Sequence, residues 1–187
     1  MKKRRGRPPH GRSKLQRQLI IEAAAGLLQA DGVEFSMRDL SKVLGVDPMA
    51  IYNYFKDKKT LLSATASMLL SELDPNNPPF SRDDNIRERL IALSGAYLGL
   101  IRKAPMLMHL LARGKVDGVD ATMRFAALFG QAVAGKHFAN SQEKLFRNVL
   151  VDFLHGYALA PLPASDTSWI EGVDLIMSAP RSRRSTA

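Results

Sequence analysis

The stretch Phe35-Ser36-Met37-Arg38-Asp39-Leu40-Ser41-Lys42-Val43-Leu44-Gly45-Val46-Asp47-Pro48-Met49-Ala50-Ile51-Tyr52-Asn53-Tyr54-Phe55 holds two helix starts and a helix stop in close succession. Ser36, followed three residues later by Asp39, predicts a capping box, and Phe35 and Leu40 occupy the positions of a hydrophobic staple around it. A helix over 37–44 follows. Gly45 suits the left-handed position beyond its end, and Asp47-Pro48 supplies an N-cap and an N1 proline for a new helix over 48–55. Two short helices joined by a tight turn containing glycine form a helix-turn-helix, a unit whose second helix enters the major groove of DNA.

The apolar residues Leu40, Val43, Leu44, Val46, Ile51 and Phe55 recur at helical spacing, so they are expected to face a shared core with a preceding helix. At about 100° per residue, Ile51 and Phe55 then point inward, while Met49, Ala50, Asn53 and Tyr54 point outward. Asparagine can bond bidentately to adenine, and apolar atoms can meet a thymine methyl, so this outer face suits base edges. Lys56, Lys58 and Lys59 come next, at a position suited to phosphates. The competing reading of the same features is a solubilised helix pair in some other bundle.

Working outward, Leu15, Leu19, Ile20, Ala23, Leu27 and Leu28 predict a first helix that stops at Asp31-Gly32. A fourth helix is expected over 58–73, ended by Asp74 and the prolines at 75, 78 and 79. Further helices are expected over 82–102, 105–113, 120–134, 141–160 and 169–178, the last opened by Ser168 and Glu171 as another capping-box pair. No stretch has the alternation of a strand, and there is no internal repeat. The fold class is therefore all-α: an N-terminal three-helix, homeodomain-like helix-turn-helix domain over 14–74, and a C-terminal helical bundle over 80–178. Residues 1–13 read as a flexible basic arm and 179–187 as a flexible basic tail.

The chain of 187 residues carries 27 Lys and Arg against 18 Asp and Glu, a net charge of +9, which favours a polyanionic partner. The excess is concentrated at the start, where Lys2, Lys3, Arg4, Arg5, Arg7, Arg12, Lys14 and Arg17 stand with no acid among them. Arg5-Gly6-Arg7-Pro8 resembles the core of an AT-hook, whose arginines lie in a narrow A·T minor groove. A solvated tail adding only non-specific attraction is the equal alternative. No cysteine is present, which excludes disulfides, thiolate metal sites and a cysteine nucleophile. The apolar run at Leu19-Ile20-Ile21 meets Glu22 too soon for a signal peptide, and no stretch approaches the roughly 18 to 20 apolar residues of a membrane span. A cytoplasmic protein with no membrane partner is expected.

No Gly-rich phosphate loop, nucleophile elbow, zinc-protease helix or close carboxylate pair is present, so no residue stands out as catalytic and no cofactor is implied. His109, His137 and His155 lack metal-ligand spacing with acids. An architectural protein that bends A·T-rich DNA without an effector is the other reading open at this point.

The segment from Phe35 to Leu62 resembles the TetR-family signature: a Ser or Thr starting the second helix, a Gly-Val turn, a tyrosine, an aromatic before Phe55, and Lys58 opening the fourth helix. The likeness runs from about 15 to 73; beyond that it rests on helix pattern and on the ending Trp169-Ile-Glu-Gly-Val-Asp-Leu-Ile-Met. It implies a dimeric transcription regulator, by default a repressor, that binds a palindromic operator in double-stranded DNA and is released by a small-molecule effector. It further implies that Ser36, Tyr52, Tyr54 and Lys58 contact phosphates, with Arg38, Pro48, Met49, Ala50 and Asn53 near bases. Ala50 departs from the glycine common there and slightly obstructs close backbone approach.

The resemblance also implies a ligand pocket and a four-helix dimer interface in the C-terminal half. Leu145, Phe146, Val149, Leu150, Phe153, Leu154 and Tyr157, with Trp169, Ile170, Val173, Ile176 and Met177, present more apolar area than a domain of that size needs for its own core. A homodimer would use the surplus. Candidates for contact with a small apolar effector are Met68, Tyr97, Met106, Met108, His109, Phe125, Phe129 and Phe153, though Met and Phe at this spacing also serve as plain core.

Overall fold

The computed structural model describes residues 15–29, 34–112, 116, 119–138, 141–161, 163 and 166–178. Among these, all regular structure is helical: α1 (Arg17–Gln29), α2 (Met37–Leu44), α3 (Pro48–Tyr52), α4 (Lys58–Leu69) with a 3-10 turn over Leu70–Glu72, α5 (Ile86–Lys103), α6 (Pro105–Ala112), α7 (Val119–Ala132), α8 (Gln142–Leu159) and α9 (Trp169–Ser178).

Side chains sort into two buried clusters. The first joins Ile20, Ala24 and Leu28 of α1 to Leu40, Ile51, Phe55, Leu61 and Leu62. The second joins Leu90, Leu93 and Leu98 of α5 to Phe125, Leu128 and Phe129 of α7, Leu150 and Leu154 of α8, and Val173 of α9. Two elements serve both halves. Leu61, Leu62 and Ala66 of α4 belong to the first cluster and Leu70 and Leu73, just beyond it, to the second, while α6 sends Leu107 and Leu110 into the first. Burying a large aliphatic side chain contributes roughly 1.5–3 kcal/mol, so these six leucines hold the helix-turn-helix against the rest of the molecule.

Several boundaries differ from the sequence expectation, each for a local reason. The Ile51 carbonyl accepts from both Tyr54 N (2.9 Å) and Phe55 N (3.1 Å), so α3 closes as a tightened turn at its end and not as regular helix to Phe55. The fourth helix tightens after Leu69, and the fifth begins only at Ile86. Asn85 is its N-cap, accepting from Glu88 N while Glu88 accepts from Asn85 N, a capping box that fixes the start at Ile86. Val43, expected in the core, is 59% exposed, because α2 buries only the face carrying Met37, Leu40 and Ser41. At α9, Ser168 N donates to Asp166 Oδ1 (2.7 Å), so Asp166, beside the expected Ser168–Glu171 pair, holds the helix entry.

α9 lies close against its neighbours because two glycines let it. A Cβ on Gly172 would overlap the Phe153 ring of α8, and one on Gly95 of α5 would sit 3.3 Å from the Trp169 indole. Arg87 of α5 adds a bidentate bond to Asp174 of α9, at 2.6 and 2.7 Å.

Candidate nucleic-acid interface

α2 is capped at both ends. Ser36 accepts from Asp39 N (3.2 Å) while Asp39 Oδ2 accepts from Ser36 N (3.0 Å) and from Ser36 Oγ (2.6 Å). The Ser36 hydroxyl, followed by its amide and Lys42, lowers the Asp39 carboxyl to about 2. At the other end Gly45 is left-handed, with φ 64°, and Gly45 N and Val46 N return to the carbonyls of Lys42 (3.2 Å) and Ser41 (3.1 Å). That pair of bonds is a Schellman closure. One residue later Asp47 accepts from Met49 N at 2.8 Å and caps α3, with Pro48 in its first turn. Two caps separated by so little chain leave α3 little freedom to reorient.

α3 is oriented by two anchors. Ile51 and Phe55 are fully buried, so the opposite side of the helix faces solvent: Met49 is 68% exposed, Tyr52, Asn53 and Tyr54 are exposed, and Pro48 and Ala50 are half-buried. Arg38 and Ser36, at the start of α2, are exposed as well. The structure thus places the side chains expected near bases on solvent-facing or half-buried positions of α2 and α3, with the Asn53 amide at the C-terminal end of α3. Arg5 and Arg7 lie outside the described residues.

Three of the expected phosphate contacts carry internal partners. The Ser36 hydroxyl donates to Asp39 (2.6 Å), and the Tyr54 hydroxyl donates to the Leu15 carbonyl (2.6 Å), pinning α3 to the entry of α1. Lys58 Nζ donates to Glu34 Oε1 at 2.7 Å and lies 5.2 Å from the centre of the Phe35 ring. Arg17 places its guanidinium over Phe55, 4.8 Å from the ring centre. The Glu34–Lys58 and Arg17–Phe55 contacts carry no sequence signal, because no local spacing marks a contact across 24 or 38 residues.

In the C-terminal half, the structure separates the expected effector contacts into two groups. Tyr97, Phe125, Phe129 and Phe153 belong to or pack on the second cluster, whereas Met68 and Met106 pack on the first. His109 is exposed, and the Met108 side chain lies outside the described set. Tyr97 and Phe125 touch at a ring separation of 4.8 Å, and the Tyr97 hydroxyl meets His155 Nε2 at 2.6 Å. Burial pushes the Tyr97 phenol up and the His155 imidazole down, the latter opposed by the Asp152 carboxylate. Burial thus favours the neutral forms of both groups, and the ring's tautomer sets which of them donates. A cavity of about 420 Å³ lies elsewhere, between the 136–138 connection, α8 and α9, lined in part by Lys136, Phe146, Leu145, Val149 and Leu175. None of the seven expected effector contacts whose side chains are described lines it.

Among the described residues no group of three or more His, Asp or Glu is placed to hold a metal ion, and no helix is long and apolar enough to cross a membrane.

Residues 20–65 match the family of bacterial regulatory proteins named tetR. The chain is 38% identical over 73 residues to Tetracycline repressor protein class A from transposon 1721 and to Tetracycline repressor protein class C, both of Escherichia coli. Each match covers 38% of this chain, and 34% and 33% of the respective relative, so the chain spans about a third of the length of the curated relatives it matches. Among solved structures, BioQ with its natural double-stranded DNA operator superposes with a TM-score of 0.65 at 21% identity, covering 88% of this chain and 96% of that one. A possible TetR family transcriptional regulator from Streptomyces coelicolor A3(2) gives 0.67 at 20% identity, over 87% and 89%. At such identities these two likenesses concern the fold.

Fold and site together define a helix-turn-helix domain followed by an all-helical second half. Within it, the segment over residues 20–65 is similar to bacterial regulatory proteins of the tetR family.

Proposed function

We propose that this chain is a DNA-binding transcriptional regulator, most simply a repressor, that binds a palindromic operator as a homodimer and is released by a small apolar effector. The observation that carries the reading is the exposed face of α3: Met49 and Asn53 project from a helix fixed by the Gly45 turn, the Asp47 cap and the buried Ile51 and Phe55. An asparagine held at a defined angle can read adenine, and Met49 can meet a thymine methyl. The structure of BioQ with its operator supports the same use of a similar fold. The function divides at the proline-rich segment, with the DNA reader over 14–74 and the effector and dimer half over 80–178. Acting on DNA would place the chain in the cytoplasm, and the reading assigns it no catalytic step.

Dimerisation is supported by apolar residues that the chain leaves in solvent on α8 and α9: Leu145 at 64%, Leu175 at 73% and Val149. A twofold four-helix interface through them would hold two recognition helices about 34–36 Å apart, or a multiple of it. An effector in the second cluster would act through α4 and the Leu107–Leu110 face of α6, and only by its differential affinity for two spacings. Selection from a random DNA pool followed by sequencing tests the whole reading. A short palindrome is expected; sequence-tolerant recovery of A·T-rich DNA would replace it with an architectural role, and no recovery would remove DNA binding.

A further inference from the structure

We propose that Glu34 is a built-in counter-anion for Lys58, an affinity-setting residue that holds the lysine's charge within the protein and so weakens its grip on DNA phosphate. The inference rests on the DNA-binding reading above. Lys58 opens α4 immediately after its Asp57 cap, at the positive end of the helix dipole, and Glu34 stands two residues before the Ser36 cap of α2. The ammonium and carboxylate are joined at 2.7 Å across these two helix starts, with side chains 27% and 35% exposed. The Phe35 ring, 5.2 Å from Nζ, lies against the cation as well. A lysine held on one side by a ring and on another by a carboxylate retains only part of its donor capacity, because an ammonium has three N–H groups.

The carboxylate and a DNA phosphate are chemically alike to this lysine: each is an oxyanion that accepts a charge-assisted bond. While the pair is closed, Lys58 contributes little net charge toward the duplex, and a phosphate that engages it must share the ammonium with Glu34 or displace it. The opposite role is also physically available. A carboxylate that only steers the lysine stem would position Lys58 for its phosphate, and removing it would then weaken binding. The two roles differ in sign.

The test is a four-protein cycle on the full chain: wild type, Glu34→Gln, Lys58→Gln and the double variant, each titrated onto a fluorescent duplex of scrambled sequence at several salt concentrations. Thermal unfolding confirms that each is folded. Glu34→Gln is expected to bind roughly two- to fivefold tighter per subunit, the range of a partly exposed ion pair, and to steepen the slope of log K against log salt by up to about 0.9 per subunit. In the Lys58→Gln background the same change is expected to do little. An equal gain in both backgrounds would reduce Glu34 to a generic negative charge and overturn the proposal, as would no change or a loss in the single variant. Failure of all four proteins to bind at low salt would instead overturn the DNA-binding reading beneath it.

Discussion

Tyr97 of α5 and His155 of α8 are joined by a 2.6 Å hydrogen bond inside the C-terminal half, with Phe125 tilted against the phenol at 4.8 Å. Burial holds the His155 value below 6.5 despite the nearby Asp152. The unfolded chain therefore binds a proton more readily than the folded one. Stability from this group is complete above pH 6.5, falls as pH drops from 6.5 toward the lower folded value, and levels off beneath it. Thermal unfolding measured across pH 5–8 should show this decline in the wild type and lose its His155 share in His155→Gln. Tyr97→Phe, which leaves a partly buried ring nitrogen without its hydrogen-bond partner, should cost about 1 kcal/mol at neutral pH.

Asp39 supplies an acid-side counterpart. Its carboxyl, lowered to about 2 chiefly by the Ser36 hydroxyl, stabilises the start of α2 above its ordinary value of 3.8. That contribution is lost as pH falls through about 2. Asp39→Asn should flatten the acid limb of a pH-stability profile, and Ser36→Ala should do the same, since it removes the largest cause. An unchanged acid limb in both would show that the capping box carries no linkage.

The seam between α8 and α9 makes a packing prediction. Gly172→Ala puts a methyl into the Phe153 ring, and overpacking of this kind costs typically 1–3 kcal/mol. Phe153→Leu in the same chain should recover part of the loss. Gly45→Ala acts differently, through its φ of 64°, and should cost about 1–2 kcal/mol with no side-chain change able to rescue it. Chemical denaturation of the three single variants and the Gly172–Phe153 pair separates the two causes.

Much of the helix-turn-helix was legible because its signals are local: a cap is read three residues away, and a left-handed position selects glycine. The features that escaped notice join distant residues. Glu34 reaches Lys58 across 24 residues, Tyr54 reaches Leu15 across 39, and Tyr97 reaches His155 across 58. α6 was opaque for another reason. Its run Pro-Met-Leu-Met-His-Leu-Leu-Ala is apolar nearly all round, so periodicity could not assign Leu107 and Leu110 to the first cluster. Val43 misled in the opposite sense, being apolar at core spacing on a helix too short to bury that side.

The proposed dimer makes its own demand. Leu145 and Leu175 are exposed in the single chain, so Leu145→Asp and Leu175→Asp should leave the fold intact while dividing the dimer into monomers. Phe153→Asp is the contrasting variant, because Phe153 packs on Gly172 within its own chain and its loss should lower stability before it alters assembly. Sedimentation together with thermal unfolding distinguishes the two classes. A dimer unaffected by both leucine changes would place the interface elsewhere.

If the outward face of α3 reads bases, Asn53 is the residue whose loss shows it. On the duplex recovered by selection, and on its single-base variants, wild type and Asn53→Ala should be titrated side by side at fixed salt. The variant should lose about 1–3 kcal/mol, confined to one base position of each half-site, where the preference relaxes. A loss of equal size on every sequence, or no loss at all, would contradict base reading by α3.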